Sequence, residues 1–476
     1  MSKDLSYDAV MARNGEIMKE ALGFDFEQFE SGSIAFDYEG LMDAVPYTFD
    51  EIRDYQLAHG VGNTPLLELR NLTALARSCA PEGKGARIFV KDESCNVSGS
   101  YKARRASTSI QHAKAKGYKG VIAATSGNYG AGVASQACMS NLKCIIVQEC
   151  YDSREVGQPE IIEKARACES LGAEVAQLTV GPELFYYNLV LLEETGFFNA
   201  SLYSPLAIAG VETLGYEIAE ECKEKYGKYP EVVVATNAGG GNLTGTARGL
   251  KRAGATDTQI VGASVDLSGL HMASDEQFNK KSFTTGHTGF GIPFATYPDR
   301  SDVPRSAARP MRYIDRYLTV NQGSVFYITE LLAQLEGMER GPAGNTSLAV
   351  AFKVAQELPE DAIVVSQETE YTGAGKHILP QLTFAKENGI DVRVGDPTAE
   401  KEIPGKNIIL PEHPSKVFAT DLDVKKTRKS VIKNAVKHHK VDVVNKKDLD
   451  FLAKEVNSDV EFVKNALDEL GIKYEG

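Results

Sequence analysis

Short β-rich runs that alternate with amphipathic stretches constrain the fold of this chain more than any other feature of its sequence. The alternation begins at Val61, and the runs typical of strands are 87–91, 120–124, 144–148, 174–178, 232–236, 260–265 and 362–366. The stretches with helical spacing between them are 103–116, 131–140, 160–171 and 210–224. Strands that alternate with helices of roughly ten to fifteen residues predict an α/β protein with parallel sheets covered on both faces. Right-handed crossovers then bring the loops after the strands to one edge, where α/β folds bind ligands.

The two ends of the chain differ from this alternating region. Residues 1–57 are rich in acidic and aromatic side chains, with helical patches at 7–22 and 47–59, and predict an extension that packs on the main body. Residues 395–420 are rich in proline, glycine and charge, which is typical of a linker. Residues 421–476 have helical spacing and predict a small appended helical unit.

Composition limits the classes of function. The 65 acidic side chains outnumber the 52 basic ones, and a net charge of −13 disfavours nucleic acid and anionic membranes as partners. No apolar run approaches the roughly eighteen residues that cross a bilayer, and the polar amino terminus does not resemble a signal peptide. The seven cysteines form no CxxC pair or metal-finger spacing. These features predict a cytoplasmic enzyme with reduced thiols and no metal site.

Four segments rich in glycine or serine carry the candidate chemistry. The first is Ser-Gly-Ser-Tyr-Lys at 98–102, which Arg104 and Arg105 follow closely. A lysine before a helix is usually a solvated surface residue. If Lys102 is instead desolvated in a site near other cations, its lowered pKa would suit Schiff-base formation.

The second segment, Thr-Ser-Gly-Asn-Tyr-Gly at 125–130, lies between a predicted strand and a predicted helix. Backbone N–H groups and hydroxyls at a helix start form an anion site that suits a carboxylate. An ordinary strand-to-helix turn with a Ser or Asn cap explains the segment equally well.

The third segment, Ala-Gly-Gly-Gly-Asn-Leu-Thr-Gly at 238–245, follows the predicted strand 232–236. Consecutive glycines let backbone amides approach a phosphate. Thr244 stands where a dinucleotide fingerprint needs a third Gly or Ala, and no Gly-Lys-Ser/Thr follows, so a single phosphate monoester fits better. The fourth segment, Ile-Val-Val-Ser at 363–366, places a hydroxyl at a strand end, either for a ring nitrogen or for a plain turn.

These four segments, in this order, resemble the fold-type II pyridoxal-phosphate enzymes, which include the tryptophan synthase β chain, threonine synthase and cysteate synthase. Gly-Asn-Thr-Pro at 62–65, Val-Lys-Asp-Glu at 90–93 and the stretch 204–217 add further motifs of that group. The resemblance covers roughly residues 61–382. It implies two parallel-sheet domains with the cofactor, pyridoxal 5′-phosphate, between them.

The domain boundaries expected on this basis place residues 58–97 and 209–394 in the large cofactor-binding domain and residues 98–208 in the small one. The resemblance also implies roles for single residues. Lys102 carries the Schiff base, and Asn128 hydrogen-bonds the 3′-oxygen of the cofactor. The residues expected to bind the cofactor phosphate are Ala238, Gly239, Gly240, Gly241, Asn242 and Thr244.

Further roles concern the substrate and the pyridine ring. The residues expected to hold the substrate carboxylate are Thr125, Ser126, Gly127, Asn128 and Tyr129. His287 lies in a glycine-rich loop and is a candidate to line the site, although a histidine is more often packed or at the surface. Ser366 is expected to face the pyridine nitrogen, with Thr372 as the second choice.

Within this group, the segments 156–160, 180–186 and 194–200 resemble the β subunits of 2-amino-4-ketopentanoate thiolases. That resemblance implies the cleavage of 2-amino-4-oxopentanoate by coenzyme A to acetyl-CoA and alanine, in the D form, during ornithine breakdown. It also implies a small α subunit as partner and a dimer of the pyridoxal subunit. The alternative is β- or γ-replacement or elimination on a phosphorylated or acylated amino acid, as in threonine synthase or cysteate synthase.

Two other features remain open. Cys95 could accept an acyl group, but a small core residue is the preferred interpretation because free cysteine packs like a hydrophobe. Between Lys425 and Lys440 the chain carries seven basic side chains together with His438 and His439. A basic helix could bind the phosphates of coenzyme A, or it could be a solvated face or a docking surface.

Overall fold

The computed structural model describes residues 3–125, 127–151, 155–157, 159–179, 183–266, 283–284, 292–371, 378–402 and 406–475. The strands are β1 Leu66–Glu68, β2 Arg87–Asp92, β3 Gly120–Thr125, β4 Lys143–Tyr151, β5 Glu174–Thr179, β6 Phe198–Asn199, β7 Val232–Thr236, β8 Gln259–Val265, β9 Arg316–Val320, β10 Ile363–Glu368, β11 Asp391–Gly395, β12 Asn407–Pro411, β13 Ala419–Asp421, β14 Val443–Val444 and β15 Lys473–Tyr474.

The α-helices of the same described residues are α1 Tyr7–Ala12, α2 Asn14–Leu22, α3 Tyr38–Asp43, α4 Phe49–Ala58, α5 Arg70–Ser78, α6 Lys102–Ala115, α7 Asn128–Met139, α8 Pro159–Ser170, α9 Glu183–Thr195, α10 Pro205–Tyr226, α11 Gly241–Arg252, α12 Ile292–Thr296, α13 Gln322–Glu336, α14 Asn345–Ala355, α15 Ile378–Glu387, α16 Val424–His439, α17 Lys446–Glu455 and α18 Val460–Leu470. None of these helices combines the length and the apolar character needed to cross a membrane.

The larger sheet has the strand order β1-β2-β10-β7-β8-β9-β13. Its five inner strands are parallel, and the two edge strands run antiparallel to their neighbours. Val233 and Val365 pack with α10 and α11 on one face, whereas Val232, Val234 and Val364 pack with α14 on the other. A strand buried on both faces needs a continuous apolar run, which is why Val-Val-Val-Ala forms a central strand.

The smaller sheet has the order β5-β4-β3-β6, and its strands are all parallel. Its core combines Val121 and Ile146 of the sheet with Val133 of α7. Two sheets with parallel inner strands, both flanked by helices, confirm the α/β fold class expected from the sequence. The exact domain boundaries stay a prediction, although the smaller sheet falls within 98–208.

The stretch interpreted as a linker, 395–420, carries regular structure, so that interpretation is wrong. Within it, β12 pairs in parallel with β11, and β13 adds the antiparallel edge strand beside β9. Ile408 and Ile409 of β12 are fully buried, and Ile408 packs in a small cluster with Phe326 of α13. The apolar Ile-Ile-Leu triplet of β12 was the sequence signal for a strand. The charged and proline residues around it obscured that signal.

The two ends of the described chain contact each other. Asp448, at the start of α17, is fully buried, and its Oδ1 accepts hydrogen bonds from the backbone N–H groups of Ile34 and Ala35, both at 2.8 Å. Arg305 forms an ion pair with Glu30 at 2.6 Å. The carboxy-terminal unit contains α16, α17 and α18, together with the short parallel pair of β14 and β15.

Candidate functional site

Lys102 begins α6 and is held there by the end of the central strand β10. The backbone N–H of Tyr101 donates to the carbonyl of Thr369 at 3.0 Å, and the N–H of Tyr371 donates to the carbonyl of Gly99 at 2.7 Å. Gly99 adopts a left-handed conformation with φ of 72°, which suits glycine. The lysine is half-buried, and this pairing fixes the chain just before it.

A buried ion cluster anchors α6 two residues further along. Arg104 is fully buried, with Nε 2.7 Å from Glu93 and Nη2 2.7 Å from Glu217 of α10. The guanidinium holds the pKa of the Glu217 carboxyl well below its usual range, against the opposing effect of burial. Both carboxylates pair with Arg104, and the cluster therefore fixes the helix that carries Lys102. Its role is to hold the structure and not to take part in the reaction.

The predicted carboxylate loop lies between β3 and α7. The N–H of Gly127 donates to Thr125 Oγ1 at 3.0 Å, which closes the turn before Asn128 begins α7. One turn after Asn128, a Cβ on Gly132 would lie 3.2 Å from the carbonyl carbon of Lys102. The face of α7 that carries Asn128 therefore lies against the start of α6, as the expected roles of Asn128 and Lys102 require.

The predicted phosphate loop follows β7 and leads into α11. Gly240 is left-handed with φ of 85°, and a Cβ there would lie 2.6 Å from the ring of Pro310. A Cβ on Gly241 would overlap the guanidinium of Arg105. Asn242 Nδ2 is buried without a hydrogen-bond partner in the described part of the chain. The loop therefore leaves backbone N–H groups open to a phosphate at the start of a helix, and these residues fit the phosphate of pyridoxal 5′-phosphate.

One cavity lies where these segments meet. Its lining residues are Tyr101, Lys102, Arg105, Ala124, Thr125, Tyr129, Leu184, Phe185, Leu202, Tyr203, Ala238 and Gly239. The candidate lysine, the carboxylate loop and the beginning of the phosphate loop thus open on a single space between the two sheets. Burial raises the pKa of the Tyr129 phenol above its ordinary value, so its hydroxyl stays protonated at neutral pH and can donate a hydrogen bond.

Two basic side chains at this site were not among the residues expected from the sequence. Arg105 lines the cavity three positions after Lys102, and that spacing on a helix was the available signal. Lys164 of α8 is 8% exposed, and its Nζ would lie 3.6 Å from a Cβ on Gly127. The same Nζ is 3.8 Å from Glu370 Oε1. No motif marked Lys164, because only the packing of α8 on the loop brings it there.

Several expected residues lie elsewhere. Ser366 is buried, its hydroxyl donates to Ser347 Oγ at 3.1 Å, and it does not line the cavity. Its role at the pyridine nitrogen stays a prediction. Ser126, His287 and Thr372 lie outside the described residues, so their predicted roles stay open.

Cys95 is exposed, so its interpretation as a core residue is wrong. It falls in a short turn after β2, where its Sγ donates to Asp92 Oδ2 at 3.4 Å. Partial burial and the Asp92 carboxylate raise the pKa of the thiol. A protonated thiol is a weak nucleophile, which disfavours Cys95 as an acyl acceptor.

The basic run 425–440 forms α16, which packs through Val431, Ile432 and Val436. Lys429 on its outer side pairs with Glu469 of α18 at 2.6 Å. At least one of the basic side chains is therefore used within the carboxy-terminal unit, and the binding of coenzyme A phosphates by this helix stays a prediction.

Comparison with known proteins places this geometry in a family. The chain matches the family model described as pyridoxal-phosphate dependent enzyme over residues 57–369. It is 67% identical to a 2-amino-4-ketopentanoate thiolase beta subunit of Acetoanaerobium sticklandii over 470 residues, which cover 99% of this chain and 100% of that protein. It is 28% identical over 320 residues to cystathionine beta-synthase of Rattus norvegicus, covering 63% of this chain and 50% of that protein.

Solved structures show the same fold. A pyridoxal 5′-phosphate-dependent aspartate racemase superposes with a TM-score of 0.54 at 17% identity, covering 68% of this chain and 94% of that one. Serine racemase of Dictyostelium discoideum superposes with a TM-score of 0.52 at 19% identity, covering 68% and 97%. The chain therefore belongs to the pyridoxal-phosphate dependent enzymes of fold type II and, within them, to the family of the 2-amino-4-ketopentanoate thiolase β subunits.

Proposed function

We propose that this chain cleaves 2-amino-4-oxopentanoate with coenzyme A, giving acetyl-CoA and alanine, in a pyridoxal-phosphate dependent reaction. One observation carries the proposal: Lys102, the carboxylate loop at Thr125 and the phosphate loop at Gly239 open on one cavity. The near full-length similarity to thiolase β subunits supports this substrate over the phosphorylated amino acids of threonine synthase or cysteate synthase.

The residues that would hold the cofactor come from three elements. Lys102 at the start of α6 would bind it covalently, and the N–H groups of Gly239, Gly240 and Gly241 would hold its phosphate. Asn128 at the start of α7 would hydrogen-bond its 3′-oxygen. When bound, pyridoxal phosphate supplies an electron sink for charge that develops at the substrate α-carbon.

The protein residues would orient the substrate and move its protons. The turn at Thr125 and Gly127 would hold the α-carboxylate, with the buried ammonium of Lys164 close behind it. This placement would direct the Cα proton toward the Lys102 amine, which would remove it as general base and later return it. The hydroxyl of Tyr129 lines the same cavity and is the candidate donor to the C4 carbonyl oxygen.

The overall reaction balances without a redox partner. The sulfur of coenzyme A forms a bond to C4, the C3–C4 bond breaks, and its electron pair remains on C3. C3 then takes up the proton given up by the thiol. C4 and C5 leave as acetyl-CoA and C1 to C3 leave as alanine, so the two products account for every atom of the two reactants. An oxyanion develops at the C4 oxygen during attack, which is where a protonated Tyr129 would act.

We further propose that the chain works with a separate small α subunit and that two copies of it pair in the assembly. The name β subunit of the relatives supports a partner chain. The proposed reaction would belong to ornithine breakdown, as the resemblance implied.

The test combines the purified chain, pyridoxal phosphate and the α subunit with 2-amino-4-oxopentanoate and coenzyme A. Acetyl-CoA formation is expected at a rate that depends on both substrates, and Lys102→Ala should reduce it by at least about a thousandfold because Lys102 moves the proton. The visible absorption band of the bound cofactor should shift with the keto acid. A shift with O-phosphohomoserine or O-phosphoserine alone, without acetyl-CoA formation, would contradict the proposal and favour a replacement or elimination enzyme.

A further inference from the structure

Arg105 is a buried cation at the centre of the site. None of the roles expected from the sequence is assigned to it. It is 3% exposed and lies on α6, three positions after Lys102. Residues with this spacing share one face of a helix, so the guanidinium and the Lys102 amine point to the same side. Both side chains line the cavity between the sheets.

The guanidinium lies against the phosphate loop. A Cβ on Gly241 would overlap Arg105, which means that the arginine reaches the first residue of α11. Its Nη2 donates to the carbonyl of Leu202, and its Cζ lies 5.8 Å from the ring centre of Tyr129. The arginine therefore spans from the lysine-bearing helix to the glycine loop.

No carboxylate balances this charge among the described residues. Within the part of the chain that the structure describes, Arg105 has a backbone carbonyl and a tyrosine ring as neighbours, and its Nε is buried without a hydrogen-bond partner. A buried cation without a counter-ion is costly to desolvate. An anionic ligand in the cavity would supply the compensating charge.

A phosphate monoester meets this requirement in charge and in shape. It carries roughly 1.5 to 2 negative charges at neutral pH. The planar guanidinium forms paired hydrogen bonds with phosphate oxygens, which a lysine cannot match. The N–H groups at the start of α11 lie beside the same position.

We propose that Arg105 binds the phosphate group of pyridoxal 5′-phosphate directly and neutralises part of its charge above the Gly239–Gly241 loop. This proposal rests on the cofactor alone, and it holds whichever amino acid the enzyme cleaves. A purely structural arginine would contribute equally to every ligand of the cavity, whereas a phosphate-binding arginine contributes only when a phosphate is present.

The experiment compares pyridoxal 5′-phosphate with pyridoxal, which lacks the phosphate. The chain, freed of cofactor with hydroxylamine, is titrated with each compound while the visible absorption band is followed. Arg105→Gln should weaken the affinity for pyridoxal 5′-phosphate by roughly 10- to 100-fold, as expected when a charge-assisted pair is lost. The affinity for pyridoxal should stay within about twofold. Neither coenzyme A nor the α subunit is needed, so the result is independent of the thiolytic reaction.

Two further variants complete the experiment. Arg166→Gln removes an exposed arginine of α8 and should leave both affinities unchanged. Arg105→Lys keeps the positive charge but lacks the planar guanidinium that forms paired hydrogen bonds. We expect a smaller loss of affinity, confined again to pyridoxal 5′-phosphate. If Arg105→Gln does not fold, the lysine variant decides the question by the same comparison. An equal loss for both compounds, or no loss for pyridoxal 5′-phosphate, would overturn the proposal.

Discussion

At the scale of single residues, burial among aromatic rings changes the proton affinity of His112. The imidazole is 3% exposed and lies within 6.2 Å of the rings of Phe24, Tyr47 and Phe198, measured between ring centres. Burial, with a smaller contribution from Lys116, lowers its pKa to about 4. The folded chain therefore keeps this histidine neutral where an unfolded chain would protonate it.

This difference predicts an acid-sensitive stability. As pH falls below about 6.5, the unfolded state binds a proton that the folded state does not bind until about pH 4. The free energy of unfolding therefore decreases across this window. Because the imidazole is almost fully buried, this linkage should lower the free energy of unfolding by about 2 kcal/mol between pH 7 and pH 5. Urea unfolding of His112→Gln at the two pH values should show a smaller decrease than the wild type. His413→Gln, at an exposed position, is the control, and equal decreases in all three proteins would contradict the assignment.

The sequence motifs located those site residues that lie within short contiguous segments of the chain. Lys102, Thr125 and Gly239 come together in the cavity as expected, because each stands in or beside a loop after a parallel strand. Lys164 was missed because its position depends on how α8 packs on the loop. Cys95 was wrongly interpreted because a turn residue and a core residue look alike when only the residue type is known.

At the scale of elements, all seven strands expected from apolar runs form, with ends that differ by a few residues at most. Strand β9, Arg-Tyr-Leu-Thr-Val, was not expected although it lies inside the larger sheet between β8 and β13. Arg316 and Thr319 interrupt the apolar pattern and hid the strand, and only the neighbouring strands make it a core element. The same reason applies to β12 in the stretch interpreted as a linker.

The start of α17 offers a test of how the chain ends are joined. Asp448→Ala should lower the free energy of unfolding by about 2–4 kcal/mol, because two buried N–H groups, those of Ile34 and Ala35, would lose a charged acceptor. Thermal and urea unfolding measure the effect. Asp450→Ala on the same helix removes an exposed carboxylate and should change stability by less than about 0.5 kcal/mol. Equal stability of the two variants would show that the contact between the chain ends contributes little.

At the scale of the whole molecule, one ion pair crosses from the smaller sheet to the larger one. Lys164 belongs to a helix that packs on β4 and β5, whereas Glu370 follows β10 and pairs as an isolated bridge with Ser100, close to Lys102. The pair therefore links the loop expected to bind the substrate carboxylate to the strand end that holds the reactive lysine.

We expect Lys164→Gln to raise the KM for the amino-acid substrate by roughly tenfold, because the cation beside the carboxylate loop is lost. The affinity for pyridoxal 5′-phosphate should remain within about threefold, since Lys164 lies beside the carboxylate loop rather than the phosphate loop. Substrate titration of the cofactor band and steady-state kinetics separate the two effects. Arg166→Gln, two residues further along α8, is the matched control. An unchanged KM in Lys164→Gln would contradict this role.

The contact of Asp448 with Ile34 and Ala35 also orders events during synthesis of the protein. A ribosome releases the amino-terminal segment first, yet the carboxylate that satisfies its backbone is added only after more than four hundred further residues. Throughout that interval the backbone N–H groups of Ile34 and Ala35 lack their final acceptor. The amino-terminal segment can therefore complete its hydrogen bonding only when the chain is nearly finished, and closure of this contact would be among the last steps of folding.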